Sequence, residues 1–174
     1  MEAFATAHVP GSLSIPLRPQ FASWLGWVVP DQVPVVFVLD PDQDRTEVVR
    51  QAQGIGYEAL LGELEGGIAA WRVSGFPTAS IPVVPVEAAT GQVIDVRQRP
   101  EFVAGHVPGS RNVELGAITD ADVSGGPVAL MCGHGERAIT AASQLARNRR
   151  SAVTVLVGGP GDWARHHGAL DTGS

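Results

Sequence analysis

The sequence contains an internal repeat, which restricts the possible folds more strongly than any local propensity. Residues 4–12, which end in His-Val-Pro-Gly-Ser, return 98 positions later as residues 102–110 with the same five final residues. Residues 64–71 return 92 positions later as residues 156–163, with a Gly-Gly pair and a final tryptophan in both copies. The repeat predicts two homologous modules, the second of them six residues shorter between these landmarks.

The boundary between the modules is predicted in the stretch 76–85, which contains three prolines. We therefore expect a first module over residues 1–77, a linker over 78–85 and a second module over 86–174. The first module has no counterpart of the apolar strand predicted at 93–96. Either the chain is a fragment of a longer protein, or something else fills that place in the sheet.

Strand and helix patterns alternate in the second module, which implies an α/β fold with a mostly parallel sheet. The predicted elements are a strand at 93–96, a helix at 100–104, a turn at 106–110, a strand at 127–131, a helix at 139–149, a strand at 153–157 and a last helix carrying Trp163. His8 and His106 belong to the repeated turns, so we expect structural roles for both.

The only cysteine, Cys132, lies between the strand predicted at 127–131 and the helix that follows. The loop between them contains Gly133 and Gly135, which allow the backbone to turn tightly. The N–H groups of such a loop converge with those of the first helical turn and form a site for an anion. We expect a reactive, accessible thiolate there rather than a buried apolar cysteine.

Three further side chains of this loop are candidates for a role in binding. Arg137, five residues after Cys132, either braces the loop or neutralises a bound anion. His134 either orients a donor or is a half-exposed loop residue. Glu136 either stabilises the start of the helix or places a negative charge at the pocket mouth, where it disfavours doubly charged donors.

The corresponding loop of the first module has Asp40 in the position of the cysteine. Pro41 removes a backbone donor, and Asp42 and Asp44 add carboxylates that repel an anion. We expect this module to be structural and catalytically inactive. A calcium site fits poorly, because the calcium-loop pattern requires glycine where Arg45 stands.

Together these motifs resemble the rhodanese family of sulfurtransferases, and the resemblance covers nearly the whole chain in two copies. The matching residues of the second module are Asp95-Val96-Arg97, Glu101-Phe102, residues 105–110, residues 132–137, Gly158-Gly159 and Trp163. The resemblance implies that Cys132 takes a sulfane sulfur from a donor, holds it as a persulfide and passes it to a nucleophilic acceptor. It implies donor binding by Gly133, His134, Gly135, Glu136 and Arg137, support from Asp95 and Arg97, and a bridge between Arg97 and Glu101.

The paired modules also resemble the tandem rhodanese tail that follows a metallo-β-lactamase-like domain in some bacterial proteins. The expected partners are a small sulfur donor, such as thiosulfate or glutathione persulfide, and a thiol or cyanide-like acceptor. A metallo-β-lactamase-like domain or a second copy of the chain is a further possible partner. The net charge of −6 predicts no nucleic-acid binding, and the apolar runs are too short to cross a membrane.

One cysteine and scattered histidines predict no metal site and no cofactor. The same single cysteine, with no signal-peptide pattern at the start of the sequence, predicts a cytoplasmic protein.

Two functions compete with sulfur transfer. One is a non-catalytic docking module. The other is a cysteine-dependent phosphatase or arsenate reductase. Those enzymes resemble a pattern with five residues between cysteine and arginine, whereas four residues separate Cys132 from Arg137 in this chain.

Overall fold

The computed structural model of the protein describes residues 1–123, 126–148 and 152–173. The α-helices are α1 (Glu2–Thr6), α2 (Phe21–Val28), α3 (Arg45–Gln53), α4 (Gly67–Val73), α5 (Arg99–Ala104), α6 (Glu136–Arg147) and α7 (Pro160–His167). The strands are β1 (Val35–Phe37), β2 (Leu60–Glu63), β3 (Val83–Pro85), β4 (Gln92–Asp95), β5 (Arg111–Asn112), β6 (Val128–Met131) and β7 (Val153–Val157). Within these residues, no helix has the length and apolar character needed to cross a bilayer.

The strands form two parallel sheets, so the predicted α/β fold is confirmed. The larger sheet has the order β3-β7-β6-β4-β5, and every neighbouring pair is parallel. Its central strand β6 is apolar and buried at all four positions, as expected where helices cover both faces of a parallel sheet. Asp95 pairs with Met131 in the register of β4 and β6. The carboxyl ends of these strands therefore meet at one edge, where Cys132 follows Met131.

The second-module elements agree with the sequence pattern to within a few residues. Strand β7 has the predicted bounds, and α5 begins one residue before the predicted helix. Helix α6 begins at Glu136 and not at the predicted residue 139, because its first turn includes the end of the cysteine loop. The predicted helix end at residue 149 lies outside the described residues.

The stretch 78–85, predicted as a linker, is part of the fold. Its last three residues form β3, an edge strand of the larger sheet. Ala79 pairs with His8 in an isolated antiparallel bridge, and Ile81 is buried in the main core. The stretch therefore contributes an edge strand to the larger sheet, and its role as a linker between two modules stays a prediction.

The repeated turns have the same local structure in the N-terminal segment (residues 1–77) and the C-terminal segment (residues 86–174). In each, the histidine Nδ1 lies 2.8 to 3.0 Å from the carbonyl oxygen of the phenylalanine four residues earlier. The rings of Phe4 and His8 stack, as do those of Phe102 and His106. These contacts confirm the structural roles predicted for His8 and His106. The division into two full modules stays a prediction.

The smaller sheet consists of β1 and β2 alone. In the larger sheet β4 has a paired strand on each side, β6 and β5. In the smaller sheet β1 pairs with β2 on one side, and no strand of the described residues pairs with its other side. A cavity of about 330 Å³ is lined by β1 and by residues 12–17, among others. The absence of an initial strand from the first module stays a prediction.

Helix α2 contributes to two hydrophobic cores. Phe21 and Leu25 pack in the core of the N-terminal segment, beside α3 and the smaller sheet. Trp24 packs in the core of the larger sheet, in the cluster that also contains Cys132. The helix therefore joins the two parts of the chain, and one of its faces lies beside the cysteine loop.

Candidate functional site

Cys132 lies where β6 ends, in the loop that leads into α6. Its Sγ accepts a hydrogen bond from the backbone N–H of Gly135 at 3.1 Å. Gly135 has a φ of +97°, a conformation that side chains rarely adopt, so glycine suits this position. The backbone donor predicted to face the sulfur atom is present at this residue.

The side chain of Cys132 is 2% exposed, so it is more buried than the sequence analysis expected. It lines a cavity of about 340 Å³ together with residues of its own loop and of α2. The prediction of an exposed thiol is therefore wrong: Cys132 is buried, and the cavity is the opening in the fold that it borders.

A second glycine turn supports the cysteine loop from the side. A Cβ on Gly159 would lie 2.8 Å from the carbonyl oxygen of Gly133, so only glycine fits between the two segments. The carboxylate of Asp162 accepts the Gly159 N–H at 2.7 Å, and this bond is the main cause that lowers the pKa of Asp162. Sequence analysis matched the Gly-Gly pair to a family pattern but did not identify Asp162 as its support.

Arg137 forms a two-bond ion pair with Glu101 across the base of the loop. Its NH1 and NH2 groups donate to the two carboxylate oxygens at 2.6 and 2.9 Å. Hydrogen bonding to Arg137 lowers the pKa of Glu101, and the same bonds raise the pKa of Arg137. Of the two roles considered for Arg137, the structure therefore shows the brace.

The bridge expected between Arg97 and Glu101 is absent, and that prediction is wrong. Arg97 donates instead to both carboxylate oxygens of Asp95 at 2.6 to 3.0 Å, and its NH2 donates to the carbonyl of Gly105. Asp95 is fully buried, and a buried carboxylate requires a paired charge at close range. Because Arg97 is only two residues away at the same strand end, it pairs with Asp95. Glu101 pairs with Arg137 instead.

Helix α2 forms the wall of the cavity opposite the cysteine loop. Gln20, Trp24 and Trp27 line it, and Trp27 also packs near Gly116. At the rim, Arg18 Nε donates to the Glu136 carboxylate at 2.8 Å. These residues could not be assigned to the site from the sequence, because their stretch has no counterpart in the repeat. The spacing of the two tryptophans along one helix was the only indication.

The remaining predicted residues are near Cys132 but differ in exposure. His134 is exposed and lines the cavity, and its charge is a minor cause of the low pKa of Asp162. Glu136 begins α6 and also lines the cavity, so it occupies both positions considered for it. Among the described residues, no group of histidine, cysteine and carboxylate side chains is arranged to hold a metal ion.

The corresponding loop of the N-terminal segment has the opposite polarity. Arg45 NH1 donates to the backbone carbonyl oxygens of Asp40, Pro41 and Gln43 at 2.7 to 3.2 Å. The Asp44 carboxylate caps α3 by accepting the N–H of Glu47. This loop therefore directs carbonyl oxygens toward a cation, whereas the Cys132 loop directs an N–H group toward a sulfur atom.

Residues 85–166 match the family model described as Rhodanese-like domain. The matched segment contains β4, β6, α6, β7 and the whole cysteine loop. The chain is 37% identical over 71 residues to the thiosulfate sulfurtransferase GlpE of Pseudomonas fluorescens, a match that covers 38% of this chain and 64% of the relative. It is 33% identical over 72 residues to the protein of the same name from Pseudomonas aeruginosa, covering 39% and 64%. The chain thus spans less than two thirds of the length of these relatives.

Solved structures also align with this chain. A thiosulfate sulfurtransferase from Pseudomonas aeruginosa aligns with 99% of this chain and 39% of that one, at 18% identity and a TM-score of 0.44. A rhodanese-like domain from Anabaena aligns with 60% of this chain and 74% of that one, at 16% identity and a TM-score of 0.44. The cysteine loop lies within the segment that matches the Rhodanese-like domain model.

Proposed function

We propose that the protein is a sulfurtransferase in which Cys132 accepts a sulfane sulfur and holds it as a persulfide. The observation that carries the proposal is the Gly135 N–H directed at Sγ, at the wall of a cavity that reaches the cysteine. A backbone donor in that place stabilises negative charge on the attacking thiolate and afterwards on the bound persulfide. The rhodanese-like match and the sulfurtransferase relatives support the same chemistry.

With thiosulfate as donor, the Cys132 thiolate attacks the outer sulfur and a new S–S bond forms. The S–S bond of the donor breaks and its electron pair leaves with sulfite, so the enzyme retains a persulfide anion. An acceptor such as cyanide or a thiolate then attacks the terminal sulfur and restores the Cys132 thiolate. Both steps are displacements at sulfur and need no added oxidant or reductant.

The residues around Cys132 have supporting roles in this proposal. Gly133, Gly135 and the start of α6 shape the loop, while Arg137 holds the loop in place through Glu101. Asp95 and Arg97 fix the neighbouring strand end through their buried pair. His134 and Glu136 lie where the donor enters.

The direct test is persulfide formation measured by intact-protein mass spectrometry. Incubation with thiosulfate or glutathione persulfide is expected to add the mass of one sulfur atom, and cyanide is expected to remove it. Cys132→Ser is the matched control and should stay unlabelled. Absence of labelling with both donors would contradict the proposal.

A non-catalytic docking role is the second candidate, and the low exposure of Cys132 is the observation that favours it. It predicts no sulfur uptake under any of these conditions. The phosphatase alternative fits less well, because a bidentate bond to Glu101 occupies the arginine that would hold a phosphate. Release of phosphate from an aryl phosphate by the wild type, lost in Cys132→Ser, would support that alternative.

The N-terminal segment is proposed to be catalytically inactive, because its loop directs carbonyl oxygens toward the Arg45 guanidinium. A metallo-β-lactamase-like domain or a second copy of the chain is the proposed macromolecular partner. Sedimentation of the purified protein with and without such a domain tests this assignment.

A further inference from the structure

The wall of α2 gives the Cys132 cavity an aromatic surface that belongs to the N-terminal segment. Trp24 is 7% exposed and fixed in the main core, whereas Trp27 is 43% exposed while lining the same cavity. A large, exposed indole one helical turn after a buried one is poorly explained by packing alone. It offers a flat apolar contact to a molecule that approaches the sulfur atom.

The two guanidinium groups at the cavity are already paired. Arg137 is bound to Glu101 through two hydrogen bonds, and Arg18 is bound to Glu136 at the rim. Among the described residues that line the cavity or pair with its rim, neither guanidinium is left for a dianion. A doubly charged donor would thus approach a thiolate with the Gly135 N–H, the donor that faces Sγ, as its main compensation, and two like charges in proximity repel.

From these two observations we propose that α2 is part of the donor site and that Trp27 determines its specificity. The site selects an organic hydropersulfide with an apolar body over thiosulfate, because the body contacts the Trp27 ring while the sulfane sulfur reaches Cys132. This inference rests on the proposed sulfurtransferase function and adds the class of donor to it.

The transfer step for this donor is balanced in the same way as that for thiosulfate. The Cys132 thiolate attacks the terminal, protonated sulfur of the neutral hydropersulfide R–S–S–H. The bond between the two donor sulfurs breaks, its electron pair leaves with the thiolate R–S⁻, and the proton stays on the new Cys132 hydropersulfide. One negative charge is present before and after the step, so no cation is needed to offset added charge.

The experiment measures kcat/KM for benzyl hydropersulfide and for thiosulfate, with the same acceptor, in the full chain. The readout is the ratio of the two values, which a general loss of activity does not change. In Trp27→Ala the preference for benzyl hydropersulfide is expected to fall about two- to tenfold, the size of one lost aromatic contact. Trp27→Phe keeps an aromatic ring and should retain most of the preference.

Two further variants make the result specific. Trp27→Arg adds a cation at the mouth, so its ratio should fall further than that of Trp27→Ala. Leu61→Ala removes an exposed apolar side chain from β2, away from the cavity, and should leave the ratio unchanged. Far-UV circular dichroism of each variant establishes that it is folded.

The outcomes separate this inference from the proposed function. If the wild type takes up sulfur from both donors and Trp27→Ala keeps the wild-type ratio, α2 does not select the donor, although sulfur transfer stands. A wild type that prefers thiosulfate also overturns the inference. If neither donor labels Cys132, the proposed function itself fails.

Discussion

Replacement of Trp24 by alanine tests whether α2 is anchored in the core of the larger sheet. The side chain is 7% exposed and packs in the same hydrophobic cluster as Cys132. Truncation of a buried tryptophan to alanine costs about 3–5 kcal/mol, which includes the cavity left behind. We expect a value near 3 kcal/mol, because Trp24 already borders a cavity on one side and loses fewer contacts there.

The assay is urea unfolding followed by far-UV circular dichroism, since the substitution removes a fluorescent residue. With a urea dependence of about 1–3 kcal/mol per molar, a loss of 3 kcal/mol lowers the midpoint by about 1 M or more. Trp27→Ala is the matched control, because Trp27 is on the same helix but exposed. Its cost is expected to stay below about 1 kcal/mol.

Modification of Cys132 by a thiol reagent gives an independent measurement on the same variants. Loss of the Trp24 ring opens the cavity wall, so the thiol should react faster than in the wild type under conditions where both proteins are folded. Equal midpoints for the two tryptophan variants, or an unchanged reaction rate in Trp24→Ala, would refute the reasoning that α2 covers the cysteine.

Two further predictions concern the two loops. In a Cys132→Ser background, Asp40→Cys should take up no sulfur from thiosulfate by mass spectrometry, because that loop directs carbonyl oxygens toward Arg45; labelling of this variant would contradict the proposed polarity. Glu101→Gln should lower the free energy of unfolding at pH 7 by at most about 1 kcal/mol, since the Glu101 side chain is 42% exposed. Because Arg137 lowers the pKa of Glu101 below its usual 4.5, this difference is present above pH 4.5 and disappears as the pH falls through the lowered value. A difference that stays constant from pH 7 to pH 3 in urea titrations would show that charge pairing is not its cause.

Apart from the two-residue strand β5, which is polar and was not predicted, the order of strands and helices in the C-terminal segment could be predicted from the sequence, because the other strands contain apolar runs next to glycine or proline. The position of Cys132 followed from the same pattern, since a loop between a buried strand and a helix has few alternative geometries. The structural roles of the equivalent histidines His8 and His106 could be predicted because the repeat shows the same turn twice.

The partners of the charged residues could not be predicted in the same way. Arg97 is near both Asp95 and Glu101 in sequence, and only the burial of Asp95 decides which of them it binds. The role of α2 at the site was also hidden, because residues 24 and 132 line the same cavity but are far apart in sequence and leave no local pattern. Sequence spacing reports neighbours along one element, whereas burial and long-range contact depend on the assembled fold.

Helix α2 has a consequence for how this chain can be divided. Its buried residues pack in both hydrophobic cores, and Trp24 and Trp27 line the cavity that Cys132 borders. A C-terminal fragment cut within residues 78–85 would lack the α2 wall of the cavity beside Cys132. Its hydrophobic cluster would also lose the Trp24 ring. A helix from the first half of the chain thus contributes to the surroundings of the cysteine in the second half.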